Sequence, residues 1–219
     1  SEPLSTVAAS LALIILCGSA ALAGATCLNN NKDPVICDSL DYEGESGIQS
    51  IVFILSNTEV LRPTSFTNPK LKSVKSLTLG GNRIRRIEPG SFLGFPALTS
   101  LLISNNDLQT VQPSWFYNAT GLEVLNVTSS KIQAMEPQML AGFSALKVLN
   151  FKNNSISEVR SESFRDLFGL SHLDLSFNKI SHLDRSALSR LQNATFRLDG
   201  NPWNCSCALR EFSHFLQGI

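Results

Sequence analysis

The chain has 219 residues, 43 % of them hydrophobic, and 18 lysines and arginines against 18 aspartates and glutamates. That apolar content is enough for a packed core. The balanced charge argues against nucleic acid as the main partner, because phosphate recognition calls for a basic excess.

The first 25 residues read as a signal peptide whose front is incomplete. Leu11–Cys17 is a compact apolar core, and Ala23-Gly24-Ala25 offers the small side chains that a signal peptidase needs. No initiator methionine or basic residue precedes the apolar run; Glu2 stands there instead. The run is shorter than the roughly 20 residues of a membrane-spanning helix. Residues 26–47 follow as a polar, aperiodic cap bracketed by Cys27 and Cys37. A secreted chain can form disulfides, so these two cysteines are expected to bridge. Zinc ligation is the alternative, and it lacks a histidine or further cysteine nearby at suitable spacing. The cap region is acidic (Asp33, Asp38, Asp41, Glu43, Glu45), and the stretch after it is basic (Lys70, Lys72, Lys75, Arg83, Arg85, Arg86).

From 48 to 192 the chain repeats, in about six units. Leu77, Leu101, Leu125, Leu149 and Leu173 are each 24 residues apart. Around each, alternate apolar residues indicate a short strand with one face inward. The first unit (Ile51, Phe53, Phe66) is degenerate and places Ser56 where later units have asparagine. That asparagine column is Asn82, Asn106, Asn154, Asn178 and Asn201, with Ser130 in the gap. An amide both donates and accepts, so stacked asparagines can satisfy the backbone groups left over where a strand bends away. A phenylalanine column (Phe66, Phe92, Phe116, Phe164) is expected to fill the wider outer side, interrupted by Leu140. The unit carrying both Ser130 and Leu140 is expected to be the least rigid.

The pattern Leu-x-x-Leu-x-Leu-x-x-Asn-x-Ile resembles the leucine-rich repeat family in its 24-residue extracellular form, over residues 51–201. The tail NPWNCSCALREFSHFL resembles the family's C-terminal cysteine-rich cap, giving a partial cap at 193–219. In that cap two further cysteines pair with the Cys-x-Cys. The chain ends 12 residues after Cys207, so Cys205 and Cys207 are expected to be unpaired and the chain a fragment. The two-cysteine N-cap and FTNPKLKSVKSLTLGGN look most like the leucine-rich alpha-2-glycoprotein branch. The resemblance implies an α/β repeat fold: a solenoid with a curved parallel sheet on its concave side and an irregular or short-helical convex side. It also implies a secreted, non-enzymatic module with no cofactor that binds an extracellular protein ligand or receptor. The alternative is the truncated ectodomain of a membrane-anchored receptor or adhesion protein.

In such arrays the strand residues between the leucines form the concave surface. Here they are Thr78, Leu102, Asn126, Asn150, Asp174 and Arg197, with His172 and Ser176 flanking Asp174. His172, Asp174 and Ser176 would share one strand face as an exposed readout. A catalytic arrangement needs histidine between serine and aspartate; here it stands at one end, so no catalytic residue is assigned. The basic region reads as solvated surface charge. Glycosylation sequons begin at Asn118, Asn126, Asn153, Asn193 and Asn204. Asn118 is expected to be modified, with Asn193 next, then Asn153 and Asn126. A glycan at Asn126 would obstruct the concave face.

Overall fold

Apolar residues two apart, as in Leu77-Thr78-Leu79, send one row of a strand inward and leave the residue between them outward. The computed structural model describes residues 27–28, 33–40, 42–54, 58–81, 83–116, 119–188, 190–191 and 193–204. Residues 1–26, Ser56, Asn82, Asn118, Cys205 and Cys207 lie outside the described residues. In chain order the strands are β1 (Cys27–Leu28), β2 (Val35–Cys37), β3 (Ser50–Ile54), β4 (Val60–Leu61), β5 (Ser76–Gly80), β6 (Arg86–Ile87), β7 (Ser100–Ser104), β8 (Val124–Thr128), β9 (Ala134–Met135), β10 (Val148–Asn150), β11 (Glu158–Val159), β12 (His172–Asp174) and β13 (Thr195–Arg197).

Nine of these form one sheet in the order β1-β2-β3-β5-β7-β8-β10-β12-β13. Every pairing is parallel except β1 with β2. The register is the repeat itself: Ile51, Leu77, Leu101, Leu125, Leu149, Leu173 and Phe196 stand opposite one another in succession. From Ile51 to Leu173 this column is buried, at 0–1 % exposure. Each such side chain contributes roughly 1.5–3 kcal/mol gross, before ordering entropy.

Past each strand of the main sheet from β5 onward the chain bends through a residue in the left-handed region: Gly81, Asn105, Ser129, Asn153, Phe177 and Gly200. One residue further on, the asparagine column ties successive coils together. Asn178 Oδ1 accepts from the Ile156 N–H at 3.0 Å, and its Nδ2 donates to the Phe151 and Leu175 carbonyls at 2.9 and 3.0 Å. Asn106, Asn154 and Asn201 make the same pattern of bonds to the coil before. Ser130 does not; its hydroxyl is buried without a hydrogen-bond partner.

The outer side is made of short pieces. β4 pairs with β6 and β9 with β11 as separate parallel ribbons. Tight 3₁₀ turns begin at Pro69, Pro113 and Pro137, where the fixed proline φ suits a first turn. A single α-helical turn, α1 (Arg185–Leu188), follows in the last full coil. Phe66, Phe92 and Phe116 stack with centroids 6.1 and 5.3 Å apart, and Phe143 continues the row at 5.6 Å. In the Phe116 coil, however, the fully buried ring is Trp115, against Phe92, while Phe116 is only partly buried. The tighter turn at Pro113 brings the neighbouring residue inward.

The cap is more regular than its sequence indicates. β2 is buried throughout and adds in parallel to β3; β1 pairs back on β2, and a disulfide joins Cys27 to Cys37. The sheet's first edge is thereby covered, which removes an open template for strand addition. Among the described residues no helix is long and apolar enough to cross a membrane.

Candidate functional site

The outward row of the sheet is set by the same register as the core. Ile36, Val52, Thr78, Leu102, Asn126, Asn150, Asp174 and Arg197 face one another in succession. All six residues assigned to this row from sequence lie in it, and two more head it. Val52 and Ile36 have 7 % and 6 % exposure, and Leu28, paired with Ile36, is 49 % exposed. The leading half of the row is thus mainly apolar. The trailing half is polar and then charged.

Several of the polar residues also serve the backbone. Asn150 Oδ1 accepts from the Lys152 N–H at 2.9 Å, and Asp174 Oδ1 accepts from the Ser176 N–H at 2.9 Å. Both close the bend that ends their strands. Asp174 further accepts from the Ser176 hydroxyl at 2.6 Å, and Arg197 Nε lies 3.8 Å from Asp174 Oδ2. Asn126, the equivalent residue one coil before Asn150, has a buried Oδ1 without a partner.

Ser176 is a correction. It was expected on the exposed face with His172 and Asp174, but it is fully buried. β12 ends at Asp174, so the two-residue alternation stops there, and the Asp174 carboxylate draws the serine hydroxyl in. His172 is exposed, and its Nδ1 lies 2.9 Å from Ser171 Oγ. That hydroxyl's single proton is given to the Lys147 carbonyl at 2.9 Å. His172 and Ser176 therefore point their polar atoms at different partners. Val148, Asn150, His172, Asp174, Thr195 and Arg197 surround a shallow hollow of about 280 Å³ at the trailing end of the face.

Charge around the face is locally compensated. Lys147 Nζ is 2.9 Å from Glu123 Oε2, on the chain leading into β10 and β8. In the basic region, Arg85 reaches Glu59 and Asp107 at 3.9 and 3.8 Å, and Arg86 reaches Glu88 at 3.2 Å. Lys131 is 2.6 Å from Asp107. The hydrogen bond from Lys131 holds the Asp107 carboxyl below its usual value, with Arg85 and Arg83 adding to the effect. Among the described residues no cluster of three histidine, cysteine or acidic side chains is placed to hold a metal. Of the sequons, Asn153 and Asn193 are exposed, while Asn126 is half-buried in the sheet.

A stack of 24-residue coils with leucines inward, an asparagine ladder at the bend and a variable outward row is a repeat solenoid. The chain belongs to the leucine-rich repeat family, whose model matches residues 54–108, 96–156 and 144–202. Among solved structures it is similar to human 5T4 (Wnt-activated inhibitory factor 1, trophoblast glycoprotein). Identity there is 24 %, with a TM-score of 0.58 over 78 % of this chain and 77 % of that one. It is also similar to a chain of the Toll–Spatzle complex, a molecular hub in Drosophila development and innate immunity. In that case identity is 20 % and the TM-score 0.57, over 70 % of this chain and 20 % of that one. At these identities the shared property is the fold. A search of curated protein sequences returns no match.

Proposed function

We propose that this protein is a secreted, non-enzymatic recognition module that binds an extracellular protein ligand or receptor through its concave sheet. The outward row carries the reading. It joins the partly exposed Thr78 and Leu102 to a polar and charged stretch (Asn126, Asn150, Asp174, Arg197) on one rigid surface. Such a row fits a partner that sets an apolar group against Leu102 and forms hydrogen bonds or ion pairs at the trailing end. Because the strands are held by their neighbours, little ordering cost attends binding.

Further support comes from three sides. Residues 1–25 have the pattern of a signal peptide. A Cys27–Cys37 disulfide suits an oxidising compartment. A structural relative is known in the complex of Toll with Spatzle. The finer likeness to leucine-rich alpha-2-glycoprotein rests on the N-cap and its following stretch. The reading needs no cofactor and no catalytic residue.

Charge reversal tests it. Asp174→Lys and Arg197→Glu are each expected to weaken a concave partner about tenfold or more, which is about 1.4 kcal/mol. Unchanged affinity in both variants would move the site off this face. Secretion is tested by N-terminal sequencing of the exported protein, which should begin at Thr26.

A further inference from the structure

The repeats act as their own control at the bend. In the left-handed position, successive coils place Gly81, Asn105, Ser129, Asn153, Phe177 and Gly200. Glycine and asparagine suit that conformation; a bulky ring there is an outlier costing roughly 1–2 kcal/mol. Core packing does not explain Phe177, which is 49 % exposed. Its ring leans on Gly200, where a Cβ would come within 2.7 Å of it, and Lys152 Nζ stands 5.2 Å from its centroid. Phe177, Lys152, Asn153, Ser129 and Thr128 line an open hollow of about 460 Å³ beside the concave face. Asn153 is exposed, opens the sequon Asn153-Asn154-Ser155, and donates from Nδ2 to Ser129 Oγ at 3.0 Å.

We infer that Asn153 carries an N-linked glycan whose first sugar lies in this hollow with an apolar face against the Phe177 ring. The inference rests on the secreted reading above. The hollow falls within the roughly 300–1,000 Å³ that holds a small organic group. The donor is an oligosaccharide on a polyprenyl diphosphate. Its anomeric C1–O bond breaks as the Asn153 Nδ2–C1 bond forms, Nδ2 loses one proton, and the polyprenyl diphosphate leaves. Nδ2 keeps its second hydrogen, so the bond to Ser129 Oγ can persist and fix the amide. A sugar ring presents C–H groups to an aromatic face and hydroxyls to the surroundings. Phe177 answers the first; the Lys152 ammonium and the Thr128 and Ser129 hydroxyls answer the second.

The test uses the full chain expressed through a mammalian secretory pathway, with glycopeptide mass spectrometry at each sequon. Asn153 is expected to carry the glycan. Ser155→Ala removes the sequon without touching the Asn153 amide, and should lower Tm by about 2–4 °C. In a Phe177→Asn background, which keeps a residue type used at this position in two other coils, the same change should leave Tm within about 1 °C. Made without glycosylation, wild type and Ser155→Ala should melt together. An unmodified Asn153 beside an occupied Asn193 overturns the inference and leaves the secreted reading intact. An equal Tm loss in both backgrounds overturns the role of Phe177.

Discussion

Ser130→Asn is expected to stabilise the protein by repairing the one broken rung of the asparagine ladder among the described residues. At the intact rung below, Asn154 Oδ1 accepts from the Ile132 N–H at 3.3 Å, and Nδ2 donates to the Val127 and Phe151 carbonyls at 2.7 and 3.0 Å. One repeat upstream the equivalent groups are the Leu108 N–H and the Ile103 and Val127 carbonyls, and Ser130 reaches none of them. Its own hydroxyl is buried and unpaired. Each new bond is worth about 0.5–1.5 kcal/mol net, and relief of an unpaired polar group adds to it. Against this stands the cost of fixing a longer side chain, so we expect a gain of about 1–2 kcal/mol. For a chain of this size that raises Tm by about 2–8 °C. Urea denaturation would give ΔG and m together, and m should not change. Asn178→Ser is the matched reverse. It removes bonds of 3.0, 2.9 and 3.0 Å and should cost about 1–3 kcal/mol. A neutral or destabilising Ser130→Asn beside a costly Asn178→Ser would refute the reasoning, because the gap would then be a feature that the coil spacing requires.

Other outcomes follow from the same geometry. Leu125→Ala opens a cavity in the middle of the leucine column, where exposure is 0 %, and should cost about 2–5 kcal/mol by chemical denaturation. Gly200→Ala forces a side chain into a left-handed position with φ +70° and into the Phe177 ring, and should cost about 1–2 kcal/mol or more. Lys131→Met tests the depressed Asp107 carboxyl. A lowered folded pKa contributes stability above the ordinary carboxylate value and loses it as pH falls through the folded value. The variant should therefore melt below wild type at pH 7, and the difference should close below about pH 4.

The core was legible because leucines at a fixed interval determine both strand register and burial, and each coil repeats the evidence of the last. The outward row was legible for the same reason: once Leu101 faces Leu125, Leu102 must face Asn126. Ser176 was misread because strand length is not carried by the leucine pattern. β12 stops at Asp174, and a local hydrogen bond then decides where the next side chain goes. Trp115 was passed over because the 24-residue spacing pointed to Phe116, whereas the 3₁₀ turn at Pro113 rotates its neighbour inward. The cap strand that holds Ile36 carries no repeat signature and the first repeat, which holds Val52, is degenerate, so neither residue was seen as the head of the outward row. Their place comes only from pairing with a neighbour. The left-handed backbone of Phe177 was not legible, because the leucine pattern does not mark that position.

The central claim is that recognition occurs on the concave sheet. Site-specific photocross-linking tests it most directly, with the probe at Leu102 or His172 on the sheet and, separately, at Phe168, which is 75 % exposed outside the sheet. The account predicts that one extracellular protein is captured from both sheet positions, is displaced by unlabelled protein, and is not captured from Phe168. Capture from Phe168 with none from Leu102 or His172 would contradict it.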